Sequence, residues 1–350
     1  MMFTFVFNIF STVTGLPFTI YSTFVLEEKH GFNQQTAGFF VKDQIKKFIL
    51  SQVITMPLIA AVIKIVYWGG DFFFVYLWAF VVGFTLFMMI IYPEFIAPLF
   101  DKYTPLPDGE LRSQIEELAA SIDFPLYKLF VVEGSKRSSH SNAYFYGFHK
   151  FKRIVLFDTL LEESEREKLK TEDDKVEKED EDEKKDDKMK SKGCSTPEIL
   201  AVLGHELGHW KLNHVLKNII IAEIHIFAMF ALFGYLYTNQ MLYTAFGFAN
   251  ERPVLIGLMI ILQFITAPFN AVLDFAMTAL SRRFEFQADD FAAKVLGRGD
   301  KLQSALIKLN NDNLGFPIYD KLFSAWHHSH PPILERLEVL KTKQAQKKRD

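Results

Sequence analysis

FFFVYLWAFVVGFTLFMMIIY, residues 72–92, runs for 21 positions without a charge. A helix needs about 20 apolar residues to cross the hydrocarbon core of a bilayer, and this run meets that length. Four further segments read the same way. Residues 1–26 carry no charge, although Gly15 and Pro17 interrupt the helical pattern. Residues 48–68 are apolar apart from Lys64, whose stem can snorkel from near a helix end. Residues 218–237 and 254–273 complete the set. A soluble core can hide one such helix but has little use for five, so the chain reads as a polytopic helical membrane protein.

Composition agrees. Hydrophobic residues make up 49% and include 37 Phe, and long uncharged stretches alternate with charged ones. The net charge of −3 gives no basic footprint, which excludes a nucleic-acid partner. Cys194 is the sole cysteine, so no intrachain disulfide forms and the polar parts suit a reducing compartment. The first residues, MMFTFVFNIF, lack the basic start and small-residue cleavage site of a secretory signal and read as the inside of a membrane helix.

The expected organisation is three spans in residues 1–92 (1–26, 48–68 and 72–92), a polar part at 93–217, two spans in 218–273, and a second polar part at 274–350. If all five cross, the links at 69–71 and 238–253 share one face, and 27–47, 93–217 and 274–350 share the other. Lys42, Lys46 and Lys47 lie just before the second span, and Arg252 is the one basic residue in the short links. The positive-inside tendency therefore puts the long regions in the cytosol.

Within 93–217, residues 110–122 have helical spacing, while 126–134 and 152–161 have the β-branched and aromatic content of strands. A small β-hairpin or sheet is expected there. Residues 162–192 hold 15 acidic and 10 basic side chains and cannot bury a core, so they read as a disordered insert.

Residues 200–210 are LAVLGHELGHW. His205 and His209, four apart, leave one face of a helix and can chelate one ion. Glu206 lies beside them, where the general base of a zinc peptidase stands. Pro197 and Glu198 suit a first helical turn after Ser195 or Thr196 as cap. A catalytic site of this type takes a third protein ligand. The candidates are Glu285, in SRRFEFQADD, and a histidine among His327, His328 and His330. Asp289 lies four residues after Glu285, placed to hydrogen-bond a ligating imidazole, and this favours Glu285. An even number of spans, two, separates His209 from Glu285, which returns both to one face.

The segments EEKHGFNQQT (27–36), IAPLFDKYTPLP (96–107), GSKRSSHSNAYFYGF (134–148), AVLGHELGHWKLNH (201–214), SRRFEFQAD (281–289), SALIKLNNDNLGFP (304–317) and WHHSHPPILERL (326–337) resemble the type I CAAX prenyl proteases. The resemblance implies a mainly α, polytopic membrane protein with a zinc metallopeptidase domain built on HExxH. It implies one zinc ion on His205, His209 and Glu285, Glu206 as the base, and Asp289 supporting a ligand. It also implies Asn142 at the oxyanion, His330 in the active site with Arg336 nearby, and SNAYFYGF as an edge strand that pairs with substrate backbone. The implied substrates are prenylated CAAX proteins, cut to release their last three residues. The implied location is the endoplasmic reticulum membrane and the inner nuclear membrane, with catalysis on the cytosolic side. Lys347 and Lys348 resemble a dilysine retrieval signal. Against the family pattern the chain is two N-terminal spans short, so truncation is expected. A broader membrane quality-control protease and a catalytically idle membrane scaffold are the competing readings.

Overall fold

The helices of the computed structural model are too long and too apolar on their outer faces for water. It describes residues 1–147, 150–169 and 193–347, without the side chains of 344–347. Four helical segments are long and apolar enough to span: Met2–Glu27, Ala37–Trp68, Gly70–Leu99 and His214–Leu236. A fifth candidate is the pair Val254–Ile265 and Ala267–Val295, bent by 60° at its break. At most 6% of each unbroken apolar window is buried inside the protein. An uncovered surface of that size matches lipid rather than water. The chain is a multi-pass membrane protein.

Contacts divide the chain into two units. The first comprises Met1–Thr19, Ala37–Met89 and Val215–Met277. Its interior is a cluster around Val62, Val66, Phe73, Leu77, Phe233, Val254 and Ile261. Phe73 and Phe233 meet edge to face at 5.6 Å, and Trp78 Nε1 donates to the Glu223 carbonyl at 3.1 Å. Two expectations shift here. Gly15 and Pro17 do not break the first helix, which is continuous over Met2–Tyr21 with Pro17 inside it. Proline is tolerated inside a membrane helix because local adjustments re-satisfy the backbone group that it frees. The second helix begins at Ala37, well before the apolar run at 48, its first turns carrying Lys42, Asp43, Lys46 and Lys47 among apolar residues.

The second unit comprises Ile20–Thr36, Ile90–His214 and Thr278–Asp350. It holds a four-stranded sheet of β1 (Tyr103–Pro105), β2 (Leu126–Val132), β3 (Ala143–Tyr146) and β4 (Lys152–Phe157), in the order β1-β2-β4-β3. β2 runs parallel to β4, and the other two pairings are antiparallel, so β3 is an edge. Sequence reading did not find β1, a three-residue strand with Pro105 at its end. The Glu110–Ser121 helix buries Leu111, Ile115 and Leu118 against the sheet's Val131, Ile154 and Leu156.

The helix Thr196–Lys211 packs against β3, Glu110–Ser121 and the helix Gly299–Asp312. It buries Ile199, Leu203 and Leu207, spaced by four, in the same core and turns His205 and His209 the other way. The charged insert starts later than expected. Glu163–Glu167 is a helical turn, and Arg166 donates to the carbonyls of Leu161 and Thr159. The remainder, 170–192, lies outside the described residues, as do Lys348 and the side chain of Lys347.

Candidate metal centre

Ser195 caps the Thr196–Lys211 helix. Its amide and hydroxyl both donate to Glu198 Oε2 at 2.9 Å, and this pairing of cap and third helical residue fixes where the helix begins. Glu198 also receives Lys308 Nζ at 2.7 Å and the Ser304 hydroxyl at 2.5 Å, tying this helix to Gly299–Asp312. Burial would raise the Glu198 carboxyl, but Lys308, Ser304 and Ser195 outweigh it and hold the group down at about 2. On the opposite side the helix needs a neighbour at close range, and Gly208 provides the room. A Cβ there would stand 3.2 Å from Ala288 Cα and from the Phe291 side chain. That approach carries His205 and His209 to Glu285, one turn before Asp289 on the helix Ala267–Asp290.

The three chemistry-bearing side chains then converge. His205 Nε2 and His209 Nε2 lie 3.2 Å apart, His205 Nε2 is 3.5 Å from Glu285 Oε2, and His209 Nε2 is 3.4 Å from Glu285 Oε1. Glu285 Oε2 is buried and makes no hydrogen bond among the described residues. Buried acceptors are rarely left so, and one facing two imidazole nitrogens is arranged for a cation. Ligands at about 2.0–2.1 Å in tetrahedral array stand roughly 3.3 Å from one another. The observed separations match that spacing, so the donor set fits a metal ion without rearrangement.

The far nitrogens of both rings are held. His205 Nδ1 meets Asp289 Oδ1 at 2.8 Å, and Arg336 clamps both Asp289 oxygens, Nε at 2.9 Å and the terminal nitrogen at 2.6 Å. His209 Nδ1 meets His214 Nδ1 at 3.0 Å, and His214 Nε2 meets Gln287 Oε1 at 3.0 Å. Burial disfavours a proton on His205, yet Asp289 and Glu285 together lift it to about 9. Burial likewise pushes Glu285 and Asp289 up, and their imidazole and guanidinium partners more than reverse this, leaving both carboxylates ionised well below the usual range. Glu206 moves the other way. Burial raises its carboxyl, with His205 and His209 opposing.

His330 Nδ1 lies 3.1 Å from Glu285 Oε1, from a ring that is 71% exposed. The third-ligand question therefore has Glu285 at the centre and His330 beside it, while no contact with the group is found for His327 or His328 among the described residues. Asn142 makes no bond to the three ligand candidates. It precedes β3, and its Oδ1 accepts from the Ala143 amide at 2.8 Å, which leaves Nδ2 without a partner among the described residues. Sequence reading missed His214 and Gln287. The spacing HELGHWKLNH shows a third histidine but not that the chain reverses at Asn213, with φ of 56°, to bring it back under His209.

A multi-pass chain whose HExxH helix and a distant carboxylate close a His–His–Glu group is a membrane metallopeptidase. Residues 105–344 match the model of peptidase family M48, and residues 1–102 match that of the CAAX prenyl protease N-terminal region, described as five membrane helices. The chain belongs to peptidase family M48. It is 58% identical to the CAAX prenyl protease 1 homolog of Homo sapiens, covering 96% of this chain and 72% of that protein. It is 50% identical to the CAAX prenyl protease 1 homolog of Taenia solium, over 99% and 73% respectively. The crystal structure of S. mikatae Ste24p superimposes with a TM-score of 0.82 at 40% identity, over 97% of this chain and 74% of that one.

Proposed function

We propose that this metallopeptidase holds zinc on His205, His209 and Glu285 and removes the C-terminal tripeptide of prenylated CAAX proteins. The observation that carries the proposal is the donor triangle of about tetrahedral spacing, in a chain 58% identical to a CAAX prenyl protease 1 homolog. Two imidazoles and one carboxylate form the set typical of catalytic zinc, whereas calcium and magnesium favour oxygen donors. The location follows the same reading: endoplasmic reticulum and inner nuclear membrane, with the second unit on the cytosolic side.

Zinc in this position supplies Lewis acidity, acidifying water and polarising the scissile carbonyl. The protein's own groups do the rest. Glu206, half-buried and with a raised proton affinity, accepts the proton of the attacking water as its oxygen bonds to the carbonyl carbon. The same carboxyl then gives that proton to the departing amine as the C–N bond breaks. Asn142 Nδ2, without a partner among the described residues, donates to the oxyanion, and His330 supports it from the exposed side. β3 offers an open edge to which an extended peptide adds as a further strand, fixing its register.

Cleavage of a farnesylated CAAX peptide by the detergent-purified chain, beside Glu206→Gln, tests this. The wild type is expected to turn over and to stop on chelation, and the variant to lose about 10²–10⁴-fold while still binding zinc. Turnover of an unprenylated membrane substrate at equal efficiency would instead favour a broader quality-control protease. Zinc binding without hydrolysis of either substrate would favour a scaffold.

A further inference from the structure

His214 has no part in the chemistry just described, yet it lies directly behind one of the proposed ligands. Its ring is 1% exposed and stacks on Phe284 at 4.0 Å with the planes 7° from parallel. Phe284, Glu285 and Gln287 are close neighbours on one helix, so the segment that brings the carboxylate to the centre also builds the socket for this ring. Asn213, in the left-handed region, makes the reversal that seats it.

The contacts fix where protons sit. Gln287 Oε1 can only accept, so the proton between it and His214 belongs to His214 Nε2. A neutral His214 then presents a lone pair at Nδ1. The proton in the 3.0 Å contact between the two Nδ1 atoms must belong to His209. A neutral His209 protonated at Nδ1 has its free lone pair at Nε2, the atom that faces His205 Nε2 and Glu285. Reversing the chain would put the His209 proton on Nε2 and block that atom as a ligand. His205 gets the same service from ions, through Asp289 and Arg336, whereas His209 gets it from a neutral relay.

We infer that His214, oriented by Gln287, is a positioning residue that holds His209 in the tautomer able to bind the metal. The inference rests on the proposed zinc site. Groups that orient a ligating histidine in this way typically contribute 10–100-fold to metal affinity.

The test is zinc affinity of the full chain in detergent, by competition with a chromophoric chelator, which needs no turnover. His214→Phe keeps a flat ring on Phe284 but offers no acceptor, and zinc binding is expected to weaken roughly 10–100-fold. His214→Asn places Oδ1 near the position of Nδ1, restoring the acceptor while losing the stacked ring. It is expected to bind within about threefold of the wild type. Gln287→Leu, which unpins the relay, should fall between the two. A purely structural His214 would give the opposite order, because Asn fills the socket worse than Phe. Wild-type affinity in His214→Phe, or weaker binding in His214→Asn than in His214→Phe, overturns the inference. If the wild type itself binds no zinc, it is the site that has failed and not the relay.

Discussion

His205 is buried between two carboxylates, and without metal that environment favours a proton. Burial opposes it, but Asp289 and Glu285 raise the ring from its ordinary 6.5 to about 9. Metal must displace this proton to reach Nε2, because a protonated imidazole has no lone pair to give. Below about 9 the stripped site carries the proton, so zinc uptake releases it and affinity climbs with pH, by about tenfold per pH unit through neutrality. Above about 9 the dependence flattens. Calorimetric zinc titrations of stripped protein at pH 7, in buffers of different ionisation enthalpy, should count close to one proton released. A count near zero would mean that Asp289 and Glu285 do not hold the proton there. At this scale much of the centre was legible in the sequence. His205, Glu206 and His209 are local in the chain, and helical geometry alone puts the two rings on one face. Glu285 was harder and rested on its spacing from Asp289. His214 was hidden because its role depends on a backbone reversal and on a partner more than 70 residues away.

At the scale of elements, the Thr196–Lys211 helix depends on one buried charge. Glu198 caps it and grips Ser304 and Lys308 on Gly299–Asp312, with its own side chain only 6% exposed. Its folded-state value of about 2 lies below the ordinary 4.5, so the stabilisation is complete above pH 4.5 and is lost as pH falls toward 2. Linkage puts the contribution at neutral pH on the order of 3 kcal/mol. Glu198→Gln is therefore expected to lower the melting temperature at pH 7 and to flatten the loss of stability between pH 5 and 3. Adding Lys308→Met should cost little more in that background, because the partner charge is already gone. Equal melting curves for wild type and Glu198→Gln at pH 7 would refute the tie. The cap was visible in the sequence as Ser195-Thr196-Pro197-Glu198, but the grip on Lys308 was not, since it joins elements 110 residues apart. The sheet shows the same division. β2 and β4 announced themselves by composition, while β1 exists only because it pairs with β2.

Across the whole molecule, the proposed metal centre bears on a question that helix lengths leave open. Among the described residues there are four clear span candidates and one bent pair that crosses or dips back. His209 precedes the span His214–Leu236, and Glu285 lies toward the C-terminal end of the bent pair's second helix, Ala267–Val295. If the bent pair were re-entrant, a single crossing would separate the two, and Glu285 would lie on the far side of the bilayer from His209. Their side chains stand 3.4 Å apart, so we expect an even number of crossings between them, with the bent pair spanning. The consequence is open to labelling with a membrane-impermeant maleimide in sealed vesicles. Burial, reinforced by Glu198, pushes the native Cys194 thiol up to about 12, which leaves it protonated and unreactive as a background. Ser113→Cys and Asp300→Cys, both exposed, should label from one side. Asp71→Cys and Asn250→Cys, in the short links, should label from the other. Asp300→Cys labelling together with Asn250→Cys would place the Glu285 carboxylate across the bilayer from His205, and no single chain could then assemble the site.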